Sequence, residues 1–376
     1  MIFFMSFYIW NPTTHPVDSK YTNKSAYKDT TNKKYYKFSG WNKSGEFNIT
    51  SNTSISGSWD NGTAVNDAWT TTYFYATGVD DYFVDRVGST YGCYGNGIYV
   101  VIAGYSTDYY LMYSTNGATW NVGYHTTTSI QKVCYGNGKF VATMFTSNYV
   151  LYSTNGKTWS KSTVSSTNRK WYPCKYCNGY YIIIESRGQY FAYSTNATSW
   201  TEVASGFTSD YYDIAYGAGK YVAISHNSMT NRYSTNLTTW TSSTIGSSTD
   251  NWNAIIYENN IFVAISNTKI MYSTDGINWT QASSLNDFKW RGLVYTGSKF
   301  IVTNYNPTYM FAISDDGKTW EVEAYTNDTI TAFPNSNSAF YGNGIHFLTS
   351  ELYDSDGGFG GIAYKTDWPV DLNYVS

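Results

Sequence analysis

Large aromatic residues recur at one phase of this sequence. Five residues ahead of a repeated tyrosine stand Ser89, Ile130, Trp171, Tyr211, Trp252, Trp290 and Ser336, so four consecutive copies carry a big ring at the same place. Beside them lie Arg169, Lys170, Asp210, Tyr212, Asn251, Lys289 and Arg291, and the neighbouring loops add Tyr105, Asp108, Tyr109, Tyr110, Arg187, His226, Asn227, Tyr305 and Tyr309. Flat rings next to amide, hydroxyl and carboxylate groups suit sugars, whose CH faces stack while their hydroxyls hydrogen-bond. Trp171, Tyr211, Tyr212, Trp252, Trp290, Arg291, Arg169, Tyr109 and Tyr305 are therefore the expected ligand-binding residues. The competing use of the same rings is to cap an apolar core at the end of a strand.

Other chemistry has weaker support. A glycosidase needs two carboxylates roughly 5–10 Å apart, and Asp210, Asp213 and Glu185 are candidates that no spacing distinguishes from solvated loop acids. Cys174 and Cys177 have zinc-like spacing but no second pair, and along a strand residues three apart face opposite sides. Cys93 and Cys134 occupy one shared repeat position, which Lys175, Ala215, Ile256, Val294 and Phe340 fill elsewhere, so the cysteines read as packed thiols. His15, His125, His226 and His346 have no nucleophile partner that spacing singles out. Asp354-Ser-Asp356-Gly-Gly reads as a Gly-rich loop rather than a Ca²⁺ site. No catalytic residue, metal or cofactor is expected.

The elements that must position these groups are set by repeats. Ser114-Thr-Asn-Gly-Ala-Thr-Trp120 recurs at 153–159, 194–200, 234–240, 273–279 and 314–320, with tryptophans 39 to 41 residues apart. Ahead of each copy comes Tyr-Gly-Asn-Gly or a variant and an apolar run, as at 94–102, 135–142, 176–184, 216–224, 257–265 and 295–302. A seventh copy begins at Tyr341 and ends in a degenerate Tyr364-Lys-Thr-Asp-Trp368. Within the second copy the alternation predicts strands at 131–135, 140–144 and 149–153, a fourth starting at Trp159, and an Asn137-Gly138 hairpin turn. Seven four-stranded units at this period predict an all-β, seven-bladed β-propeller over residues 87–376.

The Ser-Thr-Asn/Asp-Gly-x-Thr-Trp element resembles the Asp-box of sialidase-like (BNR) propellers. Asn116, Asn155, Asn196 and Asn236 stand where that family usually has Asp, Asp275 and Asp316 keep it, and each copy is one residue short of the commonest family spacing. In the family these boxes, here closed by Trp120, Trp159, Trp200, Trp240, Trp279 and Trp320, are structural, so the resemblance bears on fold and not on activity. A sialidase would also bring an arginine triad and a Tyr/Glu pair. This chain has only Arg86, Arg169, Arg187, Arg232 and Arg291, leaving Arg169, Arg187 and Arg291 as the one triad worth considering.

Residues 1–62 differ in kind. Tyr36-Lys-Phe38-Ser-Gly40-Trp41 and the run from Phe47 to Trp59 resemble the C-terminal half of an internalin-type B repeat, which implies a small β-grasp-like module. Residues 63–86 read as a connector in which Asp67-Ala-Trp69-Thr and Tyr73-Phe74-Tyr75 echo a fourth strand. That strand could close the ring and remove two sheet edges; the other closure uses 368–374.

In such a ring the Asn-Gly turns and the Asp-boxes share one face, and the segments that vary between units share the other, which is the expected binding face. A formal charge of −3 with 14% charged residues offers no basic surplus for nucleic acid or a membrane surface. The apolar start, Met1–Trp10, has no preceding Lys or Arg, no cleavage site and too little length to span a bilayer. These features together favour a non-catalytic propeller that binds a cell-surface glycan or glycoprotein, in a bacteriophage virion appendage such as a fibre, with the N-terminal module contacting other virion proteins. The alternatives are an extracellular bacterial adhesin, a polysaccharide-degrading glycosidase and a virion scaffold protein.

Overall fold

The first three short runs of each repeat are rich in β-branched and aromatic residues, are separated by turn residues and form strands, and in the first six repeats a shorter, more polar fourth run pairs beside them. The computed structural model describes residues 26–29, 34–41, 57–59, 63–64, 70–73, 88–105, 107–186, 188–207, 209–247, 250–282, 289–304, 310–324, 336–350, 361–366 and 374–375. Among these the chain is all-β. Seven antiparallel four-stranded sheets form the seven blades of a β-propeller. In blade 2 the strands are Ile130–Gly136, Lys139–Met144, Tyr149–Ser153 and Ser160–Thr163, within a residue or so of the expected runs. The innermost strands of the other blades are Gly88–Gly95, Trp171–Cys177, Tyr211–Gly217, Trp252–Glu258, Trp290–Tyr295 and Ser336–Gly342. Each innermost strand neighbours the next, and that of blade 7 neighbours that of blade 1, so the ring is closed.

The fourth strand of blade 7 comes from the other end of the chain. Thr70–Tyr73 pairs antiparallel with Gly361–Thr366, Gly361 opposite Tyr73 and Tyr364 opposite Thr70. Of the two expected closures, the structure uses the early strand. The compact units are accordingly 69–365 for the ring, rather than 87–376, and 1–68 with 366–376 for the second unit. In that second unit Ala26–Asp29 pairs with Lys34–Trp41, which also takes Gly57–Trp59 and Thr63–Ala64, and the late strand Tyr374–Val375 lies parallel to Ala26–Asp29.

The core lies between blades. Six apolar clusters fill the interfaces 7/1, 1/2, 2/3, 3/4, 4/5 and 5/6. Each contains the aromatic that opens the second strand of a blade: Tyr99, Phe140, Tyr181, Tyr221, Phe262 or Phe300, all buried. That ring sits 4.6–4.8 Å from the tyrosine directly opposite on the innermost strand. Burying one such side chain contributes about 1.5–3 kcal/mol, so the stack of interfaces supplies the ring's cohesion.

The two repeated turns have separate physical causes. In the Asn-Gly hairpins both central residues take positive φ (Asn137 41°, Gly138 76°), the mirror-image turn whose twist matches the strands. In the longer turn, Ser153 Oγ accepts hydrogen bonds from the amides of Asn155 and Gly156 (3.2 and 2.8 Å), while Asn155 Oδ1 accepts from the amides of Lys157 and Thr158 (2.9 and 3.0 Å). The Trp159 indole then donates to the Gly156 carbonyl. The serine and Asn/Asp acceptor bonds recur at 114–120, 194–200, 234–240, 273–279 and 314–320, with either Asn or Asp able to supply the acceptor oxygen. The indole bond recurs at Trp120, Trp200 and Trp320 but not at Trp240 or Trp279. Ala197 and Leu237 replace glycine at φ 62° and 63° and bury their side chains instead.

The glycine of Tyr-Gly has a packing role. A Cβ on Gly95, Gly136, Gly217 or Gly342 would fall 2.1, 1.9, 2.0 or 2.3 Å from the tyrosine of the next blade: Tyr135, Tyr176, Tyr257 or Tyr94. Cys177, Glu258 and Thr296 occupy this position in blades 3, 5 and 6, so four of seven junctions use the close approach.

Gly136→Ala should therefore cost about 1–3 kcal/mol in denaturant unfolding through overpacking; an unchanged midpoint would mean that Tyr176 is not held there. A second expectation concerns acid. Partial burial alone would raise the carboxyls of Asp275 and Asp316, but the backbone amides at Asn278 and Ile277, and at Thr319 and Lys318, together with Ser273 and Ser314, outweigh it and hold both below the usual carboxylate range. A depressed folded pKa means stability that is present above the unfolded value of about 3.9 and is lost as pH falls through the folded one. The Asp275→Asn/Asp316→Asn protein should lose less melting temperature below about pH 4 than the parent. Parallel melting curves for the two would refute this.

Candidate functional site

All seven innermost strands contain an irregularity near their start, where two residues face one on the second strand. Trp171 pairs with Glu185 but Cys174 with Ile183, Tyr211 with Ser225 but Asp213 with Ile224, and Trp252 with Ser266 but Ala254 with Ile265. The same shift occurs at 89/92, 130/133, 290/292 and 336/338. Such a β-bulge reverses the alternation of side chains on one side of it. Part of its backbone is satisfied by hydroxyls: the Lys132 and Gly292 amides donate to Thr143 and Thr303 Oγ1, and Thr349 Oγ1 donates to the Ser338 carbonyl.

The bulge sends the expected aromatic row into the core. Trp171, Trp252 and Trp290 are 0% exposed and Tyr211 is 2% exposed. Each packs in the interface with the preceding blade: Trp171 with Cys134, Val141 and Val150, and Trp252 with Val222 and Ile224. Without the extra residue these rings would alternate to the other side of their strands. They are core residues, and the expectation that they stack on a ligand is corrected here.

A residue one or two positions further along, at the bulge, points to the axis. The Tyr91 and Tyr172 hydroxyls are 3.0 Å apart although they belong to blades 1 and 3, which do not adjoin, so the contact crosses the central channel. Lys132 of blade 2 sets its ammonium 3.6 Å from the Tyr91 ring centre and 5.4 Å from that of Tyr172. Tyr172 lies 4.4 Å from Tyr212 of blade 4, which stacks on His226 at 4.3 Å. From blade 6, Arg291 donates to Asn253 Oδ1 at 3.3 Å, and its charge is felt by both Tyr212 and His226. Asn253 in turn donates to the Trp290 carbonyl and to Asn267. Six blades thus contribute to one half-buried polar and aromatic cluster at the channel.

Electrostatics fix its protonation. Burial pushes the Tyr172 phenol well up, reinforced by the neighbouring Tyr91 and Tyr212, and burial likewise raises Tyr212. For His226 burial is again the largest cause and lowers the imidazole; Arg291 lowers it further, against a hydrogen bond to the Trp252 backbone and the Asp210 charge. At neutral pH the cluster therefore offers neutral phenols and a neutral imidazole beside two cations. That set can donate and accept hydrogen bonds with hydroxyl groups while presenting ring faces.

Further along the channel the charges are tied to one another. Lys175 reaches Asp213 Oδ2 at 3.1 Å and the Ile255 carbonyl at 3.4 Å, and Asp213 accepts from the amides of Ile214 and Ile255. Asp213 thus joins blades 3, 4 and 5. Glu185 and Glu202 both hold Arg169, whose guanidinium also lies 3.4 Å from the Tyr190 ring centre; Arg169 is a structural pivot of blade 3 and not the expected ligand clamp. Tyr109 is half-buried against the interface of blades 1 and 2. Tyr212 and Arg291 are the two expected residues that reach the channel cluster. Tyr305, Tyr309 and Arg187 lie outside the described residues. Tyr91, Lys132 and Tyr172 are members that sequence reasoning missed, and they stand one or two positions after the residue it chose. Among the described residues no group of three or more His, Cys, Asp or Glu side chains is placed to hold a metal ion.

Known proteins agree on the architecture. The pattern of a family described as "DUF6242 beta propeller domain" matches residues 208–343, less than half of the chain. No curated protein sequence matches. Among solved structures, virginiamycin B lyase from Staphylococcus aureus is similar at 12% identity and TM-score 0.63, covering 79% of this chain and 99% of its own. A streptogramin B lyase is similar at 9% identity and TM-score 0.65 (80% and 98% covered), and YCF48 bound to D1 peptide at 16% and 0.60 (81% and 96%). At such identities the likeness is one of fold. The ring and its channel define a seven-bladed β-propeller.

The two groups of aromatics should separate experimentally. Trp252→Ala should cost about 3–5 kcal/mol in unfolding free energy as a cavity-forming core change, and Tyr212→Ala distinctly less. The reverse order in denaturant unfolding would contradict the assignment of core and channel.

Proposed function

We propose that this propeller is a non-catalytic binding module whose channel cluster recognises hydroxyl-rich ligands, a cell-surface glycan or glycoprotein. The observation that carries the reading is the convergence of Tyr91, Lys132, Tyr172, Tyr212, His226 and Arg291, from five blades, at one channel. Rings with neutral hydroxyl and imidazole edges match the alternating apolar and polar surfaces of a sugar. The carboxylates considered for hydrolysis favour the same reading, because Asp213 is committed to Lys175 and two amides, and Glu185 lies beside Arg169. In this reading the Ser-Thr-Asn/Asp turns are Asp-boxes of the BNR type used as blade staples, and residues 1–62 are a β-grasp-like module. The setting we favour is a bacteriophage fibre or other virion appendage, with the N-terminal unit contacting other virion proteins. A composition rich in Tyr, Asn, Ser and Thr, with no basic surplus, suits such an exposed protein.

A glycan array with the parent, Tyr172→Ala, Tyr212→Ala and Trp171→Phe proteins tests the site. Each tyrosine change should weaken binding roughly 3–10-fold, the value of one stacking ring, and Trp171→Phe should leave affinity unaltered. Full affinity in a folded Tyr172→Ala/Tyr212→Ala protein, or no glycan bound by the parent, would remove this function.

A further inference from the structure

The cysteines offer chemistry that glycan binding does not use. Cys134 on the innermost strand of blade 2 and Cys174 on that of blade 3 face each other across the interface, with their Sγ atoms 2.7 Å apart. Non-bonded carbon atoms rest at roughly 3.5–4.0 Å and sulfur is larger, while a disulfide bond is about 2.05 Å long. Two positions of the repeat produce the meeting: residues one before the repeated tyrosine point to the next blade, and residues two before it point to the previous one. Cys134 occupies the first kind of position and Cys174 the second. The Cys174 thiol is directed further by donating to the Val141 carbonyl of blade 2 at 3.5 Å. Cys93 repeats the position of Cys134, but the residue it meets in blade 2 is Val133.

We propose that Cys134 and Cys174 form a disulfide that staples blade 2 to blade 3. The oxidant is a low-molecular-weight disulfide. One cysteine thiolate attacks it, forming a mixed disulfide and releasing a small thiol; the second cysteine thiolate attacks the protein sulfur of that intermediate and expels the other small thiol. The two cysteines lose two protons and two electrons, and the small disulfide becomes two thiols. Both side chains are buried, at 8% and 5% exposure, so exchange proceeds when the interface opens and the finished bond is shielded from reductant. The bond closes a loop of about forty residues, a length at which cross-linking restricts the unfolded chain substantially.

The full chain, equilibrated with oxidised and reduced glutathione until its thiol count is constant, should show two alkylatable thiols after denaturation, on Cys93 and Cys177. Mass spectrometry should find one cross-linked peptide pair, joining Cys134 to Cys174. The oxidised protein should melt roughly 5 °C above the reduced one, a difference kept by Cys177→Ser and absent from Cys174→Ser. Four alkylatable thiols, a different pairing, a stable glutathione adduct or equal melting of the two forms would overturn the proposal. If Cys174→Ser fails to fold, the thiol count and peptide map of the parent decide.

Discussion

One extra residue near the start of each innermost strand governs both the core and the channel. Period-two alternation cannot place an aromatic five residues ahead of the repeated tyrosine on the same side as that tyrosine; the bulge does so by inserting a step. Trp171, Tyr211, Trp252 and Trp290 then fill the interfaces beneath the rim, and the residues beside them are released toward the axis. Stability and the candidate site therefore come from the same local irregularity. A substitution that relaxed the bulge would exchange core and channel residues together.

The architecture was legible because its signals are local and repeated. The acceptor oxygen in Asn155 or Asp275, the tryptophan that follows and the Asn137-Gly138 pair each specify a turn from neighbouring residues alone, and seven copies at one period specify a ring. The site was legible only in part. Tyr212 and Arg291 were found because they adjoin the aromatic row, whereas Tyr91, Lys132 and Tyr172 were passed over. Nothing in a strand's own sequence announces a bulge whose partner residues, such as Thr143 and Thr303, lie on another strand. Arg169 illustrates a second limit. Its neutralisation by Glu185 and Glu202 is a matter of distances across 16 and 33 residues of chain, which a linear reading does not see.

Channel and interface polar groups work in opposite senses. Lys175 and Asp213 satisfy each other and backbone groups of neighbouring blades, so they bind the ring to itself. The group around Tyr172 and Tyr212 is held by ring contacts and phenol hydrogen bonds, weaker ties that a ligand's hydroxyls could replace one for one. In the proposed binding role, rings already held in place would lose little conformational freedom, which lowers the ordering cost of recognition.

The pairing of Thr70–Tyr73 with Gly361–Thr366 has a consequence for synthesis. Nearly three hundred residues separate the partners, and at roughly 5–20 residues per second the early strand leaves the ribosome tens of seconds before its mate exists. During that interval the nascent chain carries an unfinished blade with open edges, the kind of surface that recruits other chains. Completion of the ring thus waits for residues 361–366, and a product stopped ahead of them would keep the edges of that blade open.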